Sequence, residues 1–199
     1  MFSSSRRFSP ASPPSESGET GRPSRSICGR VAIEVRDRDG RVIARRRAEN
    51  TVLRSGAELL GALLRGAQTT PIDGFAVGLD SEPSAPPYDS VALTTATPGG
   101  DPLVENAVAE ITPDNFEVET LAEEFLVRVR VRGVLGADHA VSPDAGQKTV
   151  FLGEAALGVR AADGASLEHI YNRVVFDPIP KSRDHELSLY WEIDFPYGP

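Results

Sequence analysis

Apolar and polar residues alternate most regularly in ELSLYWEIDF, residues 186–195. Leu187, Leu189, Trp191, Ile193 and Phe195 fall on one side, and Glu186, Ser188, Tyr190, Glu192 and Asp194 on the other. A period of two predicts a strand with one face on a core. FLVRVRVRGVL repeats the pattern: Val127, Val129 and Val131 share one face, and Arg128, Arg130 and Arg132 share the face turned to water. Earlier, ICGRVAIEV and RVIARRRAEN flank RDRDG, where Asp39-Gly40 signals a hairpin turn. In the second of these strands Val42 and Ala44 are read as inward, and Arg45, Arg46 and Arg47 interrupt the alternation as a solvated edge.

One stretch changes period. SGAELLGALLRG, residues 55–66, carries Leu59, Leu60, Leu63 and Leu64 at helical spacing. Ser55 with Glu58 reads as a capping box, and Gly66 sits where a terminating glycine belongs. After it the pattern returns to β. IDGFAVGLD, LVENAVAEIT and NFEVETLA read as strands, and TVFLGEAALGVR and LEHIYNRVVF as a hairpin about Asp163-Gly164. SEPSAPPYDS, TPGGDP, GADHAVSPDAGQK and DPIPKSRDH read as loops. Many short strands and one helix predict a mainly β fold: an antiparallel β-sandwich, jelly-roll-like, with one helix near residues 55–66 packed on it.

Composition divides the chain unevenly. Residues 1–26 are Ser-, Pro- and Arg-rich and too poor in apolar surface to order by themselves. They are read as a disordered basic arm, and residues 27–199 as one domain. The arm's four arginines and two glutamates give it +2, so with a total of −8 the remainder carries −10. An acidic body lacks the clustered cations that phosphate backbones need, so nucleic-acid binding by the folded part is not expected. No stretch approaches a membrane-spanning apolar run, and no signal-peptide core is present. A single cysteine, Cys28, forms no internal disulfide and is read as a small, semi-buried side chain.

The chemistry-bearing residues do not converge in sequence. His139, His169 and His185 lie far apart, two in loops and one in a hairpin strand, outside any HExxH spacing. Zinc needs three or four convergent ligands, so no metal or cofactor is expected. Glu105, Glu110, Glu117, Glu119, Glu123 and Glu124 offer carboxylates, but glycoside hydrolysis requires two facing each other across a sugar. Ser142 and Ser166 lack a nucleophile elbow. The expected catalytic residues are therefore none.

The order of segments carries more than any one of them. NTVLRSGAELLGALLRG, then TPIDGFAVGLDSEPSAPPYDSVAL, resembles the opening of small phage and prophage tail proteins. Ile72, Ala76, Val77 and Gly78 match their "I..IAVG" strand, and Asp89 and Leu93 the end of the following loop. The C-terminal part resembles the same family through a "GEAGL" strand, an "R.VF.PI.K" strand end and a final "L...W.I.F" strand. Gly153, Glu154, Ala155, Leu157, Arg173, Val175, Phe176, Pro178, Ile179, Lys181, Leu187, Trp191, Ile193 and Phe195 occupy those places. Ala156 stands where the relatives carry glycine, and Glu168-His169-Ile170 where they carry small or aromatic residues.

That resemblance implies a virion structural protein of the baseplate or fibre-attachment type, also found in contractile injection particles. It implies assembly in the bacterial cytoplasm, no catalysis and no cofactor. The partners expected are other particle subunits and further copies of the chain, without membrane insertion. Phe2, Arg6, Arg7, Phe8, Arg22 and Arg25 of the arm are the expected assembly residues, with Phe as anchors and Arg paired to acidic groups. The rival expectation is a carbohydrate-binding sandwich module. It requires exposed aromatics, for which Tyr88, Tyr171, Tyr190 and Tyr197 are the candidates.

Overall fold

The closing alternation forms the strand it predicts. In a computed structural model describing residues 27–68, 70–81 and 92–198, that strand is β9 (Glu186–Pro196). Leu187, Leu189, Trp191 and Ile193 are buried, and Phe195 packs against them half-buried. Each fully buried side chain of this size contributes roughly 1.5–3 kcal/mol, so β9 is one of the main planks of the core.

The other strands are β1 (Cys28–Arg36), β2 (Val42–Val52), β3 (Gly74–Gly78), β4 (Val108–Glu110), β5 (Phe116–Leu121), β6 (Leu126–Leu135), β7 (Val150–Arg160) and β8 (Leu167–Lys181). They form one nine-stranded antiparallel sheet in the order β4-β3-β7-β8-β2-β1-β9-β6-β5. β2 is the joint. Most of its length pairs with β1, and its last two residues, Thr51 and Val52, pair with Arg173 and Asn172 of β8. The sheet curls there, so side chains from both arms meet. Phe75 of β3 lies edge-on to Trp191, with ring centroids 5.7 Å apart. Gly133 of β6 makes room, since a Cβ there would strike the Phe75 ring. A single cluster of buried side chains draws on β1, β3, β6, β7, β8 and β9. Among the described residues the fold is mainly β with a single α-helix, as the periodicity predicted, and its strands form one continuous curled sheet.

The helix, α1 (Arg54–Leu64), starts one residue earlier than its capping signal. No side chain caps it. Ser55 falls inside the first turn, and its Oγ donates to the Ile170 carbonyl at 2.7 Å. Gly56 lies so close to the Tyr171 carbonyl that any Cβ would collide. Contact with β8 has displaced the capping box. The other end follows the sequence: Gly66 has φ +71°, and the Gly66 and Ala67 amides donate back to Leu63 and Ala62, a Schellman closure. Leu59 is buried and Leu60 and Leu63 half-buried, but Leu64 is 90% exposed.

Five further expectations change. Val42 is exposed, and the arginine triple keeps the alternation: Arg46 shares a face with Ile33, while Arg45 and Arg47 face out. The long Arg46 stem covers the core's margin and brings its guanidinium to the Arg45 carbonyl. DPIPK is strand, not loop, since β8 runs to Lys181. Pro178 and Pro180 are tolerated because β2 pairs with β8 only at residues 172 and 173, leaving that flank free of ladder donors. LVENAVAEIT yields strand only over Val108–Glu110, with Glu105 held separately in a bridge to Val141. Cys28 is exposed rather than semi-buried, because it lies on the outward face across from Asp194.

Candidate functional site

Two charged assemblies stand out, one buried and one on the outer face. The central pair of the buried one, Glu154 and Arg173, belongs to the residues of the resemblance. Glu154 of β7 is 0% exposed and Arg173 of β8 6%. Arg173 Nε donates to Glu154 Oε2 at 2.7 Å, and Arg173 Nη2 reaches Asp80 Oδ2 at 2.8 Å. The other Glu154 oxygen accepts the Thr94 amide at 2.6 Å and the Asp80 amide at 3.4 Å. Leu79 and Thr94 are also joined, amide to carbonyl, at 2.9 Å. Thus one carboxylate binds both ends of the connection between β3 and Thr94. Two glycines admit it: a Cβ at Gly78 would strike the Glu154 carboxyl, and one at Gly153 would strike the Asp80–Ser81 backbone. Asp89 lies outside the described residues; Leu93 packs against the small cluster of Leu53, Ala156 and Ile170.

The outer assembly follows from register. Paired residues share a face, so Arg30, Glu192, Arg130 and Glu117 form one row across β1, β9, β6 and β5. Asp194, Arg128 and Glu119 form the next. Arg128 grips Asp194 with two parallel bonds, 2.7 and 3.0 Å long. Arg30 pairs with Glu192 and reaches Asp194 at 3.3 Å. Arg130 contacts Glu192 at 3.3 Å, Glu119 at 3.1 Å and Glu117 at 3.5 Å. The hydrogen bond from Arg128 holds the Asp194 carboxyl below its ordinary range. Burial pushes Glu192 up, but bonds from Arg30 and Arg130 outweigh it, and the net direction is down. The arginine face of β6 is turned to water as the pattern predicted, and on it Arg128 and Arg130 are tied into a lattice of ion pairs that the pattern did not show.

Beside this lattice is a hollow of about 920 Å³, lined in part by Ala32, Arg47, Glu49, Asp114, Arg132 and Tyr190. Arg132 lies over the Tyr190 ring, 5.9 Å from its centroid. The cations and carboxylates lining the hollow balance, which suits a surface with both polarities better than a simple anion.

The remaining sequence candidates are dispersed. His139 is in the turn after β6, His169 in β8, and His185 in the turn before β9, 3.3 Å from Ser182 Oγ. Among the described residues no three of His, Cys, Asp and Glu gather as a metal-binding group. Glu110 pairs with Arg160, Glu117 and Glu119 with Arg130, and Glu123 and Glu124 occupy the exposed turn after β5. Phe2, Arg6, Arg7, Phe8, Arg22 and Arg25 lie outside the described residues, as does Tyr88.

Sequence reasoning placed Lys181 in a motif but did not foresee that its amine is buried. Its Nζ donates to the Ser182 carbonyl at 2.9 Å and the Ala137 carbonyl at 3.4 Å, and burial pushes its pKa down to about 8. It also passed over Glu154 with Arg173 as a pair, although both letters belong to the quoted motifs.

Fold and site together define a mainly β protein with a buried ionic anchor and an ion-latticed outer face. Comparison with protein families, curated proteins and solved structures finds no match.

Proposed function

We propose that the chain is a non-enzymatic structural component of a phage tail or phage-tail-like particle, acting through its subunit surfaces. One observation carries this reading. The residues that bear the resemblance are consumed by the frame: Glu154, Arg173, Gly78 and Gly153 build the buried anchor, and Trp191 and Leu187 the core. A family likeness held in such places supports a shared scaffold that presents surfaces rather than a shared reaction centre. The outward edges of β4 and β5 offer strand addition, and the ion lattice offers a stiff, charge-patterned face.

A glycan-binding module is less well supported. A sugar platform needs an open aromatic face. Tyr171 is buried, the Tyr197 ring lies against Phe125, and Arg132 lies over Tyr190. The test is direct. Tail-like particles purified from cells that naturally make the chain should contain it in a fixed number of copies, measured by quantitative mass spectrometry. Particles that lack it would overturn the proposal.

A further inference from the structure

The two ends of the sheet are not alike. β4 at one end has three residues, and β5 at the other has six. An open edge is usually blunted by shortness, proline, a bulge or charge. Of these devices β5 has only charge. Phe116–Leu121 contains no proline, and it pairs one for one with β6, from Phe116 opposite Val131 to Leu121 opposite Leu126. Among the described residues no strand pairs along its far edge.

The two faces of β5 differ in chemistry. Phe116, Val118 and Thr120 stand in the rows of Val131, Val129 and Val127, on the core-facing side, where Val118 is 66% exposed. Glu117 and Glu119 are on the water-facing side, with side chains 68% and 42% exposed. There the ion lattice is one cation short. Arg30, Arg128 and Arg130 answer Glu192, Asp194, Glu117 and Glu119, and the last two share Arg130 with Glu192.

The paired edge of β5 already shows which strand suits it. It accepts LVRVRVR of β6, with valines opposite its core-facing residues and Arg130 and Arg128 opposite Glu117 and Glu119. Strand side chains stand roughly perpendicular to the sheet, so both edges of β5 present the same pattern to a neighbour. A second β5 is the wrong neighbour. Antiparallel pairing centred on Val118 sets Glu117 against Glu119, and pairing centred on Glu119 sets that residue against itself. Like charges directly opposite each other destabilise a strand pair.

We infer that the free edge of β5 accepts one extended segment of a partner protein in which aliphatic and basic side chains alternate. The aliphatic side chains cover Val118, the basic ones meet Glu117 and Glu119, and backbone bonds along the edge supply affinity. This partner choice rests on the strand-addition reading of the sheet edges and narrows it to one edge and one chemistry.

The probe is a capped synthetic peptide of about seven residues that alternates arginine with valine, added to the full chain. Calorimetric titration should show it binding roughly fivefold or more tightly than a peptide of the same composition with its arginines consecutive. Amide hydrogen exchange should slow within Phe116–Leu121. Glu117→Lys should weaken the arginine peptide by a similar factor and strengthen binding of a glutamate–valine counterpart, with the circular dichroism spectrum unchanged. No binding, equal binding of the rearranged peptide, or slowing confined to other strands would overturn the inference. The peptide comparison on the native chain decides even where the variant does not fold. Particle composition is a separate readout: particles that lack the chain leave the peptide result standing, and a peptide that fails leaves the copy number standing.

Discussion

The two ionic clusters use the same chemistry and teach opposite lessons. Around Glu154 and Arg173 the pair is removed from water, and both Glu154 oxygens are committed to partners. Around Asp194 and Glu192 the charges keep a water-facing side and share partners across four strands. In the first, geometry must compensate for desolvation, so loss of one member strands the other. In the second, solvent screens each pair and can replace it. The buried cluster specifies where backbone goes; the outer one stiffens a face.

The sharpest test removes one buried partner. Arg173→Met leaves Glu154 uncompensated and should cost about 3–5 kcal/mol in urea unfolding. The double change Glu154→Leu with Arg173→Met should recover a large part of that loss. If the single substitution costs no more than an outer-face one, burial is not what separates the clusters.

Lys181 gives a third buried charge and a pH signature: burial lowers its pKa, the charge of Asp138 works the other way, and that of Arg183 adds to the lowering. Its native pKa of about 8 lies below its ordinary 10.5. Below pH 8 both states hold the proton, and the burial cost is full. Between the two values the unfolded chain keeps a proton that the native chain has released, so stability rises with pH. Burial raises the Tyr171 pKa from its ordinary 10, which works against stability at higher pH, so the window to read is pH 8 to 10. The gain across it should be roughly 2–3 kcal/mol, and Lys181→Met should flatten it.

The smallest effect is expected outside. Asp194→Asn should cost at most about 1 kcal/mol, and the difference should shrink in 1 M salt. Because Arg128 depresses the native Asp194 pKa, the native advantage is full above its ordinary 3.8 and fades as pH falls through the lower native value. A cost that is large and indifferent to salt would show that the outer lattice behaves like the buried anchor.

Much of the fold was legible because period-two patterns are local. β6 and β9 declare their faces within ten residues, and Gly40, Gly66 and Gly164 mark turns with positive φ. The helix terminus was legible, but its start was not, since the Ile170 carbonyl that takes Ser55 is 115 residues away. The anchor was hidden for a related reason. Glu154 meets Arg173 only after a register shift between Leu152 and Glu154 sets β7 against β8. The outer rows depend on strand order, which inserts β9 between β1 and β6. No spacing along the chain announces that Arg30 will stand beside Glu192, and so the water-facing side was legible but the ion-pair lattice on it was not.

That strand order has a kinetic consequence. β1 and β9 lie side by side in the middle of the sheet, and Arg30 and Glu192 meet across 162 residues. The β1–β2 hairpin forms early and locally, yet it must wait with its inner edge open until β9 has been made, after all the other strands. Closing so long a loop before any reward slows the search, as it does for other sheets rich in distant contacts. During synthesis, most of the strands are in place before the central pairing can begin. Nascent chains stalled before β9 would present an unpaired central edge, the geometry that recruits stray strands and chaperones.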